Sequence, residues 1–163
     1  MFRPILLAAV ALLAASGLAR GGSERVSPER LVDLGTHSLR IRIEGVGFPT
    51  VVIDAGLGDG SDKLRPLQAR LAKSTRVVTY DRAGYGPSEP GPLPRDAARE
   101  AWELKALLEA AAEPGPYVLV GHSLGALNAQ LFAARFPDDV AGLVLLDPPP
   151  PGFLAGQAFR ELG

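Results

Sequence analysis

Cysteine is absent from this chain of 163 residues, which excludes disulfides, thiolate metal sites, a cysteine nucleophile and a lipid-modified N-terminal cysteine. Histidine is nearly absent, because His37 and His122 are the only two in the sequence. An excess of one charge is also lacking, since 17 basic and 18 acidic side chains leave a net charge of −1. A nucleic-acid-binding protein needs a basic patch, so we expect no nucleic-acid partner.

The chain does contain enough apolar residues for a packed core. Hydrophobic side chains make up 47% of the sequence, a fraction that is typical of globular proteins and too high for a disordered tail. A length of 163 residues fits at most one domain. We assign residues 1–19 to an export signal, residues 20–30 to a linker rich in glycine, serine and charge, and residues 31–163 to that domain.

The first residues have the pattern of a secretory signal peptide. Arg3 supplies the positive start, Ile5–Ala15 is an unbroken run of 11 apolar residues, and Gly17–Ala19 offers a small-residue cleavage site. A buried helix or an uncleaved anchor is the alternative, but a spanning helix requires about 20 apolar residues, so we expect no stable membrane span. The protein is predicted to be secreted or to reside in the cell envelope after cleavage, and to be cytoplasmic if the signal is not used.

Beyond the linker, extended and helical patterns alternate. Strands are predicted at Leu31–Leu34, Leu39–Ile43, Thr50–Ile53, Arg76–Tyr80, Tyr117–Val120 and Gly142–Leu146. Helices are predicted at about Pro66–Lys73, Asp96–Ala112 and Leu124–Arg135. Fully apolar strands that alternate with helices indicate the α/β class, with a mostly parallel sheet and helices on both faces.

Two of these elements have a predicted orientation. In the second strand the apolar residues point inward and the arginines outward, the residues being Leu39, Ile41 and Ile43 against Arg40 and Arg42. In the third helix one face collects the apolar residues Leu124, Leu127, Leu131 and Ala134. These faces are expected to pack against the core.

One short motif carries chemistry. Gly121-His122-Ser123-Leu124-Gly125 is a G-x-S-x-G sequence between the fifth strand and the third helix, the structural context in which this motif is specific. A serine at such a turn takes an unfavourable backbone conformation, and the flanking glycines give the chain room. The helix then directs its first amides and its dipole towards the serine, where they favour negative charge. Ser123 is predicted to be a nucleophile, and the alternative is that it only caps the helix.

Three further segments accompany this motif. Val51–Gly58 is a strand with a glycine-rich turn, Tyr80–Ser88 contains the pattern D-R-x-G-x-G-x-S, and Leu143–Pro148 is a strand that ends in Asp-Pro. With the G-x-S-x-G motif, they resemble the serine-nucleophile branch of the α/β-hydrolase family from about Leu31 to Pro149. The resemblance implies the strand order 1-2-4-3-5-6, with the second strand antiparallel.

The resemblance also implies roles for individual residues. Ser123 would be the nucleophile, and the backbone N–H groups of Leu57 and Leu124 would form the oxyanion hole, in which the side chain is not the catalytic part. The haloalkane dehalogenase and epoxide hydrolase branches place an aspartate where this chain has serine. The expected partner is a small-molecule acyl substrate, with no cofactor and no metal. Asp81 and Arg82 are interpreted as a structural ion pair or a turn cap.

The histidine base that the family requires is missing from this sequence. Relatives place it after the last strand, whereas His122 is adjacent to Ser123, and neighbouring strand residues point to opposite sides. His37 opens the second strand, roughly 14 Å from the nucleophile strand, and a base must lie within about 3 Å of the hydroxyl. Asp147 is a candidate for the acid, but an Asp-Pro turn that ends the strand is the favoured alternative.

We therefore expect a truncated α/β-hydrolase fold that ends after the sixth strand and is incomplete at its C-terminus. Its last strand, Gly142–Leu146, would be an apolar edge open to pairing with another chain. Three functions stay open: a hydrolase that acts on an ester or related acyl substrate through Ser123, a catalytically inactive fragment that lacks the triad histidine, and a non-catalytic module that binds a small molecule. The first is the function that the family resemblance implies.

Overall fold

The structure is a computed structural model and describes residues 27–150. Its six strands form one sheet in the order β1-β2-β4-β3-β5-β6. The strands are β1 Ser27–Asp33, β2 Ser38–Glu44, β3 Thr50–Asp54, β4 Val77–Tyr80, β5 Tyr117–His122 and β6 Val140–Leu146. β2 runs antiparallel to both of its neighbours, and all other pairs are parallel. The predicted strand order and the antiparallel second strand are confirmed.

Three helices connect the parallel strands. They are α1 Arg65–Leu71, α2 Ala97–Ala110 and α3 Leu124–Arg135, and short 3-10 turns at Ser61–Leu64 and Pro137–Asp139 precede α1 and β6. The carboxylate of Asp96 accepts a hydrogen bond from the Arg99 amide at 2.8 Å, so this residue caps α2 rather than belonging to it. All three predicted helices are present.

Strands β3 and β4 lie at the centre of the sheet, and every residue of both strands is buried. Most of these residues are β-branched, which suits a central strand. On one face of the sheet, side chains such as Val52, Val78 and Leu119 pack with residues of α2 and α3. On the other face, Val51, Ile53, Val77 and Val120 pack with Leu64, Leu67 and Leu71 of α1 and the turn before it. Helices therefore cover both faces, as the fully apolar strands predicted.

The predicted orientation of β2 is correct for its apolar residues, of which Leu39, Ile41 and Ile43 are at most 1% exposed. Arg40 is different, because it was expected to point to solvent and is only 6% exposed. Its guanidinium is covered by Asp81, at 2.5 Å from Nε, and by the Ser61 hydroxyl, at 2.8 Å from Nη2. A buried carboxylate partner makes the burial of an arginine tolerable.

The apolar face predicted for α3 packs against the core only in part, through buried Leu124 and through Leu131. Leu127 and Leu131 are only half-buried and Ala134 is exposed. The residues that are buried include three small ones, and the full set is Leu124, Gly125, Ala126, Asn128, Ala129 and Phe132. Small side chains allow the helix axis to approach the sheet closely, so size as well as hydrophobicity determines the contact face.

The two ends of the sheet also bear on the predicted boundaries. β1 begins at Ser27, so residues 27–30 of the predicted linker are part of the sheet. At the other end, β6 pairs with β5, and Leu143–Leu146 are between 37% and 44% exposed. Successive strand residues point to opposite faces, so within residues 27–150 both faces of β6 are partly exposed. The predicted export signal, residues 1–19, and the tail, residues 151–163, lie outside the described residues.

Candidate active site

The candidate site lies at one edge of the sheet, where the parallel strands β3, β5 and β6 end together. Asp54 pairs with Gly121, and His122 pairs with Leu146, so these strand ends are level. The segments that follow the strands carry the residues singled out in the sequence. In open α/β sheets, ligands bind outside the carboxyl ends of the strands.

Ser123 occupies the turn between β5 and α3. Its backbone has φ 51° and ψ −115°, a sparsely populated conformation that costs about 1–3 kcal/mol for a residue with a side chain. The unfavourable conformation expected of this serine is therefore present. Its N–H donates to the carbonyl of Leu146 at 3.0 Å, which ties the turn to β6. Ser123 stands at the N-cap position of α3, but its side chain makes no capping hydrogen bond.

The two glycines of the motif are required by close contact. A Cβ on Gly121 would lie 2.3 Å from the carbonyl oxygen of Gly125 and 2.5 Å from the Cα of Ala126. A Cβ on Gly125 would lie 2.4 Å from the carbonyl oxygen of Asp54. All of these neighbours are backbone atoms, which cannot rotate away. The strand can therefore turn into the helix only where both positions lack a side chain.

The turn after β3 lies beside Ser123. The Asp59 N–H donates to the Gly56 carbonyl at 3.3 Å and closes the turn. A Cβ placed on Gly56 would lie 3.5 Å from the Cβ of Ser123, so the two backbones are neighbours. Leu57, in the middle of this turn, has an exposed side chain. The glycine-rich turn and the serine that were predicted separately are thus brought together.

Two backbone N–H groups at this place have no acceptor within residues 27–150. One belongs to Leu57 in the turn after β3, and the other to Leu124, the first residue of α3. The first amides of a helix have no partner inside the helix, so they are available to an anion. Unpaired donors beside a serine could stabilise the negative charge that develops on a carbonyl oxygen during attack.

A buried polar cluster lies beneath the turn. Arg82 donates from Nη1 to the Asp54 carboxylate at 2.5 Å, and the side-chain amide of Asn128 donates to Asp54 at 3.2 Å and to Glu100 at 2.6 Å. Burial by itself lowers the pKa of the Arg82 guanidinium, but Asp54, Tyr80 and Glu100 raise it above its ordinary value, so Arg82 stays charged. The ion-pair interpretation of Arg82 is confirmed, with Asp54 as its partner.

Glu100 is the member of this cluster with a raised carboxyl pKa. Removal from water is the main cause, and the neighbouring carboxylate of Asp54 adds to it, while Arg82, Asn128 and Arg95 act in the opposite direction. A raised pKa means that the folded state holds the proton more tightly than the unfolded state. The resulting stabilisation is present below the ordinary carboxyl pKa and is lost as the pH rises through the folded pKa.

We expect Glu100→Gln to melt at a higher temperature than wild type at pH 7. Glutamine has the charge of the protonated acid and can still accept from Asn128, so the variant avoids burying a carboxylate. The two melting temperatures should converge near pH 4, where Glu100 itself is protonated. The control is Glu109→Gln on the exposed side of α2, which should change little at either pH. A wild type that is the more stable protein at pH 7 would contradict the expectation.

Neither histidine is hydrogen-bonded to the Ser123 hydroxyl within residues 27–150. His37 precedes β2, which β4 and β3 separate from β5. Its Nδ1 is 2.9 Å from the Thr36 hydroxyl, and its Nε2 is 3.4 Å from Glu103. The His122 ring packs on Gly56, where a Cβ would lie 3.0 Å from its Nδ1. The His122 ring and the Ser123 side chain, which were predicted to point to opposite sides, thus both lie beside Gly56.

Asp147 directly follows β6 and is exposed, with φ 48°. A positive φ at an aspartate before proline is a feature of a turn, and its role as an acid stays a prediction. The polar cluster under the turn was not predicted as a unit. Its sequence signal is weak, because only Asn128 interrupts a buried helix face, that of α3, whereas Glu100 is half-buried in α2.

The described part of the chain contains no group of three or more His, Asp or Glu side chains that could hold a metal ion. No helix within residues 27–150 is long and apolar enough to cross a membrane.

Comparison with known proteins yields clear relatives. The chain is 41% identical over 105 residues to the Bacillus subtilis protein YqjL, and it is 34% identical over 118 residues to the 2-(acetamidomethylene)succinate hydrolase of Mesorhizobium japonicum. These matches cover 64% and 72% of this chain, and 42% of each relative. The crystal structure of Cfl2 from Burkholderia cenocepacia superposes with a TM-score of 0.71 at 30% identity, over 76% of this chain and 42% of that one.

The chain thus spans less than half the length of the relatives that it matches. A family model described as the alpha/beta hydrolase fold matches residues 49–162, which include the turn after β3, the serine turn and β6. With the sheet order and the G-x-S-x-G turn already described, this match identifies the chain as a member of the α/β-hydrolase family.

Proposed function

We propose that this chain carries the nucleophile and the oxyanion-binding part of a hydrolase for a small ester or related acyl substrate. The observation that carries the proposal is the Ser123 turn, where a strained serine makes no capping hydrogen bond and faces a neighbouring glycine turn. A serine that served only to cap α3 would accept a hydrogen bond from an amide of the first helical turn. The alternative role of Ser123 therefore lacks the contact that it requires.

In the proposed reaction, the Ser123 Oγ attacks the acyl carbonyl carbon while a base takes the hydroxyl proton. The bond from carbon to the leaving alcohol then breaks, and that proton is returned to the alcohol oxygen. Water hydrolyses the resulting acyl-serine in the same way and releases the acid. The amides of Leu57 and Leu124 donate to the carbonyl oxygen while it is negatively charged, and this contribution is commonly worth 10²–10³ in rate for each donor.

The base is the part of the reaction that these residues do not supply. His37 lies beside Thr36 and Glu103, with β4 and β3 between β2 and the strand that precedes Ser123, and the His122 ring packs on Gly56. We therefore place the base outside the two histidines of the sequence. The two alternatives, a catalytically inactive chain and a module that binds a small molecule without turnover, require no base.

External imidazole provides a direct test, because it can take the place of a missing histidine side chain. Hydrolysis of p-nitrophenyl acetate is measured for wild type and for Ser123→Ala at pH 7.5, with imidazole raised stepwise. Imidazole alone hydrolyses this ester, so the alanine variant gives the background. We expect the wild-type rate to rise more steeply with imidazole than the rate of the alanine variant.

The matched control is Ser74→Ala, the same substitution at an exposed serine far along the chain from the turn. It should retain the full imidazole-dependent increment. Equal slopes for wild type and Ser123→Ala would reject Ser123 as the nucleophile. A small ester analogue that binds wild type and Ser123→Ala equally well would then support the non-catalytic reading.

The proposal extends to location. Residues 1–19 would direct export and be removed, so that the domain acts in the cell envelope or outside the cell. The open apolar edge of β6 would pair with a further strand, from this protein or from another chain.

A further inference from the structure

The carbonyl groups of the turn after β3 are held from beneath by one side chain. Arg82 donates from Nη1 to the Ala55 carbonyl at 2.6 Å and from Nη2 to the Gly56 carbonyl at 2.7 Å. Arg82 lies just after β4, the strand beside β3, and it binds the carbonyls of two successive residues of this turn. The planar fork of a guanidinium suits two adjacent acceptors, whereas the single ammonium of a lysine does not.

Because the peptide bond is planar, hydrogen bonds that fix a carbonyl also fix the direction of the N–H in the same peptide unit. The C=O of Gly56 and the N–H of Leu57 belong to the same rigid, planar, trans peptide unit, so they point in opposite directions. Because the Gly56 carbonyl points to the buried guanidinium, the Leu57 N–H must point away from it. We propose that Arg82 is a positioning residue that directs the Leu57 N–H towards the oxyanion; this rests on the proposed function.

The guanidinium is itself fixed on several sides. Asp54, the last residue of β3, binds Nη1 at 2.5 Å, and Glu100 lies 3.7 Å from Nε. The ring of Tyr85 covers the guanidinium, with its centroid 4.9 Å away. Arg82 is 4% exposed, so these contacts are made away from solvent. A buried guanidinium between two carboxyl groups and an aromatic ring has little freedom to move.

The two N–H groups that follow Leu57 in the turn both have acceptors, as this role requires. The Gly58 N–H donates to the Tyr85 hydroxyl at 3.4 Å, and the Asp59 N–H donates to the Gly56 carbonyl at 3.3 Å. Leu57 lies in the chain between Gly56, whose carbonyl binds Arg82, and these two donors, and its N–H has no acceptor within residues 27–150. The contacts therefore satisfy the groups around the Leu57 amide and leave that amide free.

Substitution of Arg82 by lysine keeps the charge and removes the fork. The control is Arg76→Lys, because Arg76 also donates through two nitrogens, to the Glu113 carboxylate, and it lies at the other end of β4. In each protein, residual dipolar couplings report the direction of the Leu57 N–H relative to the rest of the backbone. We expect the direction to change in Arg82→Lys and to remain as in wild type in Arg76→Lys.

The second readout is the imidazole-supported hydrolysis that depends on Ser123. Arg82→Lys should lower kcat by up to about 10²–10³, the effect of losing one oxyanion donor, with little change in KM. A purely structural role would instead lower the melting temperature of both lysine variants alike and leave the kcat of the folded protein unchanged.

The outcomes separate this inference from the proposed function. An unchanged Leu57 N–H direction in folded Arg82→Lys would overturn it, and so would a changed direction without a fall in kcat. If wild type has no Ser123-dependent rate, the proposed function fails, and the couplings alone decide whether Arg82 orients the amide. If Arg82→Lys does not fold, wild type still provides a test. Absence of scalar coupling from the Arg82 guanidinium to the carbonyl carbons of Ala55 and Gly56 would show that these two hydrogen bonds are not made, and it would overturn the inference.

Discussion

Without added imidazole, the chain should hydrolyse a short activated ester no faster than its Ser123→Ala variant. A serine hydroxyl is a weak nucleophile unless a neighbouring base takes its proton during attack. Neither His37 nor His122 is hydrogen-bonded to Ser123 within residues 27–150. In subtilisin, loss of the histidine lowers turnover about 10⁶-fold and leaves about 10³–10⁴ over the reaction in water. A similar loss here would leave turnover too slow to be resolved from the ester's spontaneous hydrolysis when micromolar protein acts on excess ester in an ordinary assay.

The measurement uses residues 20–163, which omit the predicted export signal, at several micromolar protein. Circular dichroism and cooperative melting of both proteins serve as the control, since an unfolded wild type would be inactive for a trivial reason. Clear turnover that disappears in Ser123→Ala would contradict the expectation. In that case His122→Ala is the next variant to measure, because the His122 ring lies at the same turn as the serine, whereas His37 lies three strands away.

The second large effect is expected at the first glycine of the motif. Gly121→Ala should lower the free energy of unfolding by about 3 kcal/mol, the upper part of the usual range for overpacked sites. The added Cβ would meet the carbonyl of Gly125 and the Cα of Ala126, and neither can move unless α3 leaves the sheet. Urea unfolding followed by circular dichroism measures the change.

Gly142→Ala on the adjacent strand is the matched control. Gly142 also lies in a parallel strand, but a Cβ there has no atom within 4 Å. Alanine reduces the conformational freedom of the unfolded chain, so this variant should be as stable as wild type or more stable by about 0.5–1 kcal/mol. Similar free energies of unfolding for the two alanine variants would mean that contact at Gly121 does not shape the serine turn.

Much of the fold could be predicted because the sequence patterns and the packing agree. The runs Thr50–Ile53 and Tyr117–Val120 are apolar without alternation, which suits strands covered on both faces, and the structure places them side by side in the sheet. The serine turn was predictable for a related reason. Its two glycines occupy positions where a Cβ would clash with backbone atoms, so the residue types themselves indicate the turn.

Other features depend on distant contacts and have no local signal. Arg40 was expected in solvent, but Asp81, which lies 41 positions later in the chain, buries it in an ion pair. The α3 face was predicted only in part, because hydrophobicity marked Leu127, which is half-buried, whereas close packing selected small residues such as Ala126 and Ala129. Periodicity describes one element at a time. It does not report which residue of another element will neutralise a charge or how near two backbones will come.

The hydrogen bond from the Ser123 N–H to the Leu146 carbonyl links the serine turn to the open strand β6. Local opening of β6 breaks this bond, so the turn and the edge strand share part of one cooperative unit of unfolding. Any polypeptide that pairs with β6 and suppresses its opening also raises the population in which Ser123 keeps its strained backbone. By linkage, a ligand that binds only to the ordered turn strengthens pairing at the β6 edge. The factor is the same as that by which this pairing strengthens binding of the ligand. A molecule that binds at β6 would therefore change the order of the serine turn without contacting Ser123.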